Sequence, residues 1–327
     1  MIPFGVSFDG FVPIREAVSI AQRAEALGAR SYWIAEHLGY REAFSTATAI
    51  AMHTRTGRIV PTAISPYLRH PMPMAMALAS LDELAPGRAG VAVGVGNPLF
   101  LKENGLAAEK PVPAVRDYLA ALGGLLAGQP QHTQGQTFSL DGAKLAFTGP
   151  QPVPLYVAAM GPAMLKLSGA VADGVLLSAG LSTQYSKHQL DAVAGAAKEA
   201  GRDPAQVRKA SYVYFMVDPG GSAARQTVRE KLAFLFRNDK IKENLAYSGI
   251  RVDQEAVMAA IARRDTAAAA KLVPDEAIDQ LTIFGDAATC RRRVREYLDA
   301  GLEEIVLSLV GNKEQRLQSL ETLPQIH

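Results

Sequence analysis

Short apolar runs alternate along this chain with longer stretches in which apolar residues recur at helical spacing. A short, fully apolar run is typical of a buried parallel strand, whereas a 3.6-residue period indicates an amphipathic helix. The predicted strands are Phe4–Phe8, Ser31–Glu36, Arg58–Ile64, Ala89–Gly96, Leu155–Met160, Val175–Ser178, Lys209–Val217 and Glu304–Leu309. The predicted helices are Ile14–Leu27, Ala43–His53, Met72–Leu84, Val112–Leu126, Ala163–Val171, Thr183–Ala200, Ala287–Ala300 and a tail from about Lys313.

Strands in strict alternation with helices predict parallel βαβ units, and eight such strands close a (β/α)8 TIM barrel. An open doubly wound sheet is the rival architecture. Residues 1–327 are expected to form one α/β domain with a helical insertion over about 222–279, between strands seven and eight, that covers the mouth of the barrel. A small hairpin is expected over Gln136–Phe147, with Asp141-Gly142 as its turn.

Composition narrows the function classes. The chain has 327 residues, of which 48% are hydrophobic, which suffices for one large core. A formal net charge of +2 disfavours nucleic-acid binding. The single cysteine, Cys290, excludes an internal disulfide and a cysteine-cluster metal site, and no metal is expected. No apolar run is long enough to span a membrane and no signal peptide is visible, so a cytoplasmic location is expected.

Polar or glycine-rich residues follow several predicted strands, where a barrel carries its active site. Glu36-His37 follows the second strand, and a carboxylate beside an imidazole can serve proton transfer near neutral pH. The alternative is a polar pair that caps the next helix. Gly94 and Gly96 follow the fourth strand, where glycine lets a flat ring lie on the backbone; they form only half of a dinucleotide fingerprint.

The turn from Met160 to Met164 follows the fifth strand and places glycine and proline before a helix. Exposed amides of such a turn can hold a phosphate, although plain helix initiation explains the same residues. The sequence lacks HExxH, CxxC, GxSxG and Walker A spacings, which disfavours the commonest metalloprotease, serine hydrolase and P-loop functions.

Four segments together carry a family resemblance. They are residues 25–28 with 31–37, residues 58–71, residues 81–88 with 93–96, and residues 154–162 with 172–174. The chain resembles the luciferase-like monooxygenase superfamily. Within it, the chain is most similar to the group of methylenetetrahydromethanopterin reductase and related coenzyme F420-dependent enzymes, over nearly its whole length.

The resemblance implies a barrel that forms a homodimer and seats a flavin-type ring on the ends of strands three and four. His37 falls on the family's active-site histidine. The implied cofactor contacts are Glu36, Ala63, Ile64, Ser65, Gly96, Asn97, Met160, Gly161, Ala163 and Met164, and the expected substrate contacts are Phe8, Asp9 and Tyr67. A cis peptide is expected between Ala63 and Ile64. One departure is Asn97, because several deazaflavin members use an acidic residue there in proton transfer.

These features favour an oxidoreductase that uses F420 or FMN to move hydride to or from a small organic substrate, including a methylene-tetrahydropterin or folate. In such an enzyme the cofactor carries the hydride chemistry and the protein supplies positioning and electrostatics. One alternative is an FMN-dependent monooxygenase fed by a separate flavin reductase. The other is a catalytically silent flavin-binding relative, since a fold does not fix a function.

Overall fold

The computed structural model describes residues 2–149, 151–218, 220 and 222–326. The strands are β1 Phe4–Phe8, β2 Ser31–Ala35, β3 Arg58–Thr62, β4 Val91–Val93, β5 Gln131–Gln134, β6 Ser139–Ala143, β7 Leu155–Ala159, β8 Gly174–Leu177, β9 Arg208–Val217, β10 Ile283–Gly285 and β11 Glu304–Leu309. The helices of the first half are α1 Ile14–Ala26, α2 Ala43–His53, α3 Pro71–Leu84, α4 Pro98–Glu103, α5 Pro111–Leu126 and α6 Pro162–Val171. Those of the second half are α7 Thr183–Glu199, α8 Ser222–Phe236, α9 Lys242–Tyr247, α10 Gln254–Ala262, α11 Thr266–Lys271, α12 Asp275–Leu281, α13 Ala287–Asp299, α14 Lys313–Glu321 and α15 Leu323–Ile326.

Eight strands form the sheet of the predicted barrel. Their order is β3, β2, β1, β11, β9, β8, β7, β4, and β10 pairs with β9 at the side. Bridges from Ile59 to Ala89 and from Ile64 to Val93 join β3 to the β4 segment, so the two ends of the series meet. The (β/α)8 architecture is therefore confirmed, and the sheet is closed rather than open.

Continuous burial explains why the strands were visible in the sequence. The first four residues of β2 are buried, and all of β4 and β8 are buried. A parallel strand covered on both faces needs apolar residues throughout, so it reads as a run rather than an alternation.

The chain divides into two compact units. The first unit comprises residues 5–176 and 192–208, and the second comprises residues 1–4, 177–191 and 209–327. Every candidate site residue lies in the first unit. The predicted helical insertion lies in the second unit as helices α8 to α12, and its expected position over the barrel mouth stays a prediction.

The start of the first unit shows how local sequence ends a helix. Ala17, Ile20, Ala21 and Ala24 form the buried face of α1. Gly28 follows with φ of +86°, a conformation that glycine adopts without steric cost.

The hairpin differs from its sequence prediction. Its strands β5 and β6 are antiparallel, and the turn is closed by the Gly135 amide donating to the Phe138 carbonyl at 2.9 Å. The expected Asp141-Gly142 turn is wrong, because both residues lie inside β6. Gly142 has φ of +72° where the register shifts, and a bulge uses the same left-handed glycine as a turn.

The expected cis peptide between Ala63 and Ile64 is also wrong by one bond. The structure has it between Thr62 and Ala63. Regular pairing of β3 ends at Thr62 and a bridge resumes at Ile64, so Ala63 is the irregular residue. The short elements α4 and β10 were not predicted, since neither is long enough to show a period.

The close approach of α6 and α7 in the first unit gives a test of the packing. A Cβ on Gly169 would lie 2.2 Å from the Val193 carbonyl oxygen, whereas a Cβ on Gly195 would meet nothing within 4 Å. Gly169→Ala should lower the free energy of unfolding by about 1–3 kcal/mol through overpacking. The control Gly195→Ala should be neutral or stabilising by up to about 1 kcal/mol. Urea unfolding of both variants measures the difference, and equal stabilities would contradict the packing.

Candidate active site

The candidate residues follow strand ends that the backbone joins to one another. The Glu36 amide donates to the Thr62 carbonyl at 2.6 Å, which links the end of β2 to the end of β3. The Gly94 amide donates to the Ile64 carbonyl at 3.0 Å, which links the segment after β3 to that after β4. The residues predicted at these three ends therefore share one edge of the sheet.

His37 is oriented by a backbone carbonyl. Its Nδ1 lies 2.7 Å from the Asp9 carbonyl oxygen. A carbonyl oxygen only accepts, so Nδ1 carries the hydrogen and donates it. In the neutral ring this leaves Nε2 as an acceptor, and a second proton on Nε2 gives the imidazolium. The ring is half-buried and is held in one tautomer for proton exchange at Nε2.

The loop that supplies this carbonyl is itself fastened. The Asp9 Oδ1 accepts from the Phe11 amide at 3.1 Å, and Gly10 has φ of +78°. Arg41 Nη1 donates to the Gly10 and Phe11 carbonyls at 3.0 Å each. One arginine therefore ties the loop after β1 to the loop that carries His37.

Aromatic rings surround the imidazole. Phe11 is stacked on His37 with centroids 5.6 Å apart and an interplanar angle of 23°, and Phe100 meets it edge-on at 5.7 Å. Tyr40 contacts both flanking rings, at 4.4 Å from Phe11 and 6.2 Å from Phe100. We call Phe11, His37, Tyr40 and Phe100 the aromatic cluster. Its walls beside the imidazole are apolar.

Arg69 bridges two carboxylates at the two ends of the His37 loop. Its Nε donates to both oxygens of Glu36, at 3.0 and 3.2 Å, and its Nη2 contacts Glu36 and Glu42. Glu42 in turn accepts from the Phe44 amide at 3.0 Å and the Ser45 amide at 2.6 Å, and so caps α2. The carboxylate expected to contact the cofactor is thus held by an arginine that sequence reasoning missed.

The pKa values of Glu42 and Arg69 are shifted in this bridge. Burial acts to raise the pKa of Glu42, but hydrogen bonds from Ser45, Phe44 and Arg69 outweigh it, and the pKa lies below its ordinary value. Burial acts to lower the pKa of Arg69, but Glu36 and Glu42 outweigh it and raise the pKa. Both groups are therefore held in their charged forms.

Small residues meet where β3, β4 and β7 end. A Cβ on Gly94 would lie 3.0 Å from the Ala63 Cβ and 3.1 Å from the Ala158 Cβ. Such contacts are tighter than nearly all real Cβ contacts, so the backbones approach closely only because residue 94 is glycine. We call Ala63, Gly94 and Ala158 the small-residue floor. Only backbone and methyl groups meet at this floor.

Two predicted residues beside the floor, Ser65 and Tyr67, donate hydrogen bonds to backbone carbonyls. Ser65 Oγ donates to the Val95 carbonyl at 2.7 Å, and the Tyr67 hydroxyl donates to the Glu109 carbonyl at 2.5 Å. Burial and the charge of Glu109 raise the pKa of Tyr67. In these hydrogen bonds the hydroxyls of Ser65 and Tyr67 are directed to carbonyls of the β4–α5 segment and not to His37.

Four further predicted residues serve the backbone or the core. Gly96 has φ of +92°, and a Cβ there would lie 3.3 Å from the Ser65 Cβ. The Asn97 carbonyl accepts from the Leu101 amide at 3.0 Å at the start of α4. Phe8 and Ile64 are buried, with exposed fractions of 3% and 0%.

The turn before α6 is open, as an anion site requires. Gly161 is the residue before the helix, no side chain caps the helix, and a Cβ on Gly161 would meet nothing within 4 Å. The Met164 amide donates to the Gly161 carbonyl at 3.0 Å and is not a free donor. Gly161 and Ala163 lie at the start of α6, where an amide has no intrahelical carbonyl to bond, and Ala163 is exposed. Of the expected amides from Met160 to Met164, those of Gly161 and Ala163 are therefore the candidates for a ligand.

Comparisons with known proteins show the family of the chain. The model of the luciferase-like monooxygenase family matches residues 4–304. The chain is 33% identical over 321 residues to the 5,10-methylenetetrahydromethanopterin reductase of Methanolobus tindarius, covering 96% of this chain and 97% of that one. It is 27% identical to the F420-dependent glucose-6-phosphate dehydrogenase 1 of Rhodococcus jostii, covering 98% and 96%.

A solved structure shows the same fold. The coenzyme F420-dependent tetrahydromethanopterin reductase from Methanopyrus kandleri matches with a TM-score of 0.90 and 26% identity, over 100% of this chain and 99% of that chain. The monooxygenase RslO1 from Streptomyces bottropensis matches at a TM-score of 0.74 with 19% identity, a likeness of fold alone.

The carboxylate that caps α2 gives a prediction about pH. Because the pKa of Glu42 is depressed in the folded state, its contribution to stability is present above its unfolded pKa and is lost as pH falls through the folded value. Glu42→Gln should therefore lower the free energy of unfolding by about 1 kcal/mol at pH 7.

The difference between wild type and Glu42→Gln should shrink as pH falls through the acid range, because protonation of Glu42 removes the charge that only the wild type carries. Denaturant unfolding at a series of pH values measures it. The control Glu83→Gln, on the exposed surface of α3, should match wild type throughout. A deficit of Glu42→Gln that stays constant through the acid range would contradict the assignment.

Proposed function

Because this chain belongs to the luciferase-like monooxygenase family, we propose that it is an F420-dependent reductase acting on a methylene-tetrahydropterin. It is an oxidoreductase, and relatives at 26–33% identity are named as reductases of this kind. The observation that carries the proposal is His37, whose Nδ1 hydrogen is fixed on the Asp9 carbonyl and whose Nε2 is left for proton transfer.

The site fits a planar ring with a phosphate-bearing tail. The small-residue floor suits the ring, since it carries only backbone and methyl groups where β3, β4 and β7 end. The exposed Ala163 amide at the positive end of α6 suits the phosphate. F420 supplies a hydride carried on its deazaflavin ring. FMN has a similar ring and tail, but the FMN-related monooxygenases are more distant relatives, so F420 is the favoured cofactor.

The residues of this chain supply a proton and hold the loop. Reduction of a methylene bridge adds hydride to carbon, breaks one carbon–nitrogen bond and leaves a nitrogen that needs one proton. Protonated His37 gives this proton from Nε2, while the Asp9 carbonyl keeps Nδ1–H in place. Related enzymes carry an acidic residue at the position of Asn97. The Asn97 amide cannot supply the proton, so His37 must donate it.

The contacts of Arg69 with Glu36 and Glu42 position the loop that carries His37. Glu36 precedes His37 in the chain, and its carboxylate is fixed by Arg69 while the loop ends at the capped start of α2. The histidine therefore stands on a loop whose two ends are held by one guanidinium. Glu36, Ser65, Gly96 and Met160 remain proposed cofactor contacts, and Phe8, Asp9 and Tyr67 remain proposed substrate contacts.

Association and location are further proposals. No helix in the described part of the chain is long and apolar enough to cross a membrane. A cytoplasmic homodimer remains the expectation, and the exposed apolar residues Met52 on α2 and Met76 and Leu84 on α3 support an interface between copies. A flavin reductase would be a partner only if FMN were the cofactor.

Cofactor identity is tested by titration with F420 and with FMN separately, followed by absorbance and fluorescence. F420 should bind and FMN should bind at least tenfold more weakly. Gly161→Val should weaken F420 binding while leaving thermal stability unchanged, because a Cβ there meets no protein atom within 4 Å and the added side chain would occupy the space beside the turn where the phosphate would lie. Equal F420 affinity in Gly161→Val would contradict the phosphate site, and tighter binding of FMN would favour the monooxygenase alternative.

Replacement of His37 tests the proton step. With reduced F420 and methylenetetrahydromethanopterin, His37→Ala should lower kcat by roughly 10²–10⁴-fold with little change in F420 affinity. His53→Ala is the matched control, because the His53 Nδ1 also bonds a backbone carbonyl, that of Ala49 at 2.8 Å, outside the site. It should retain wild-type kcat. A folded His37→Ala protein with a near-normal rate would remove His37 from the mechanism.

A further inference from the structure

The aromatic cluster leaves two large ring surfaces open beside the candidate proton donor. Phe11 is 40% exposed and Tyr40 is 52% exposed, in contrast to the fully buried aromatic residues of the core such as Trp33. Phe11 lies nearly parallel to the His37 imidazole, at 23°. An exposed ring that continues a stack presents a flat apolar face to a ligand, and aromatic side chains pair preferentially with other planar rings.

The cluster is held in place before any ligand binds. The Phe11 backbone is fixed at both its amide and its carbonyl, by Asp9 and by Arg41. Tyr40 precedes Arg41 directly, and its ring packs edge-on against Phe11. The two open faces therefore need no reorganisation to receive a ring, which lowers the entropic cost of binding.

The charges around the cluster discriminate between ligand chemistries. Arg41 is committed to the Gly10 and Phe11 carbonyls, and Arg69 is committed to Glu36 and Glu42. A sugar phosphate needs a cationic partner, whereas Arg69 is neutralised by two carboxylates and Arg41 directs its Nη1 to two backbone carbonyls. The pyrimidinone ring of a tetrahydropterin is planar and uncharged, so its face can pack on the apolar rings of the cluster.

We propose that Phe11 and Tyr40 are the residues that select the substrate, by stacking on the planar pyrimidinone ring of a methylene-tetrahydropterin. The proposal rests on the proposed function and deepens it. It places the ring of the substrate against the aromatic cluster on the side of His37, and it excludes glucose 6-phosphate, the substrate named for one group of relatives, from this face.

The test compares substrate affinity with turnover in leucine variants. Phe11→Leu and Tyr40→Leu keep apolar volume but remove the ring. Each should raise the KM for methylenetetrahydromethanopterin by roughly 3–10-fold, the range expected for loss of one aromatic pair, while kcat and F420 affinity stay within twofold. Calorimetric titration of tetrahydromethanopterin into the F420-bound protein should show the same loss of affinity without turnover.

Matched controls separate stacking from a general effect of surface mutation. Phe147→Leu matches Phe11 in exposure, at 41%, and Tyr247→Leu matches Tyr40, at 51%; both lie outside the cluster. They should leave KM unchanged. The variants Phe11→Tyr and Tyr40→Phe keep the aromatic ring and should restore the wild-type KM. A purely structural role of the two residues would not require this recovery.

The possible failures are distinguishable. If wild type reduces the methylene-tetrahydropterin but Phe11→Leu and Tyr40→Leu keep its KM, the stacking role is overturned and the proposed function stands. If the leucine variants lower kcat without raising KM, the residues act on the chemical step and the selection role is overturned. If wild type oxidises glucose 6-phosphate with F420 and does not use methylenetetrahydromethanopterin or methylenetetrahydrofolate, both proposals fall.

Discussion

The parallel register of β1, β2 and β3 is the constraint on which the site depends. Phe8 pairs with Ile34, and Ala35 pairs with Thr62, so the three strands reach the same edge together. A shift of one residue in either pairing would turn alternate side chains to the opposite face. The Asp9 carbonyl would then no longer meet the His37 ring. Buried strands specify such a register strongly, so the core fixes the geometry of the histidine.

The elements were predictable because their signals are local. Apolar runs indicated the strands of the barrel, and the helical spacing that ends at Leu27, just before Gly28, indicated the end of α1. The hairpin turn was missed because β5, with the sequence Gln-His-Thr-Gln, has no apolar alternation, while Gly142 suits a bulge as well as a turn. Because a left-handed glycine occurs in turns and in bulges, Gly142 alone could not distinguish the two structures.

The site was predictable only in part, for a different reason. Glu36 and His37 stand at a strand end, which sequence order reveals. Their partners do not: Arg69 is 33 residues from Glu36, and the carbonyl that fixes His37 is 28 residues away. Every residue type has a backbone carbonyl, so no sequence pattern could have predicted that the carbonyl of Asp9 fixes His37. The aromatic cluster was missed because Phe11 and Tyr40 come from two separate loops and Phe100 from the short helix α4.

The small-residue floor has a thermodynamic consequence of its own. Ala63, Gly94 and Ala158 have no side-chain rotamers, and the backbone contact around Gly94 leaves little free volume. Placing a ligand on this surface freezes no side-chain torsion, whereas a surface of long side chains would lose up to about 2 kcal/mol of rotamer entropy for each one ordered. The entropy lost on binding is then almost wholly that of the ligand, so the affinity of the floor should respond to the flexibility of what binds rather than to that of the protein.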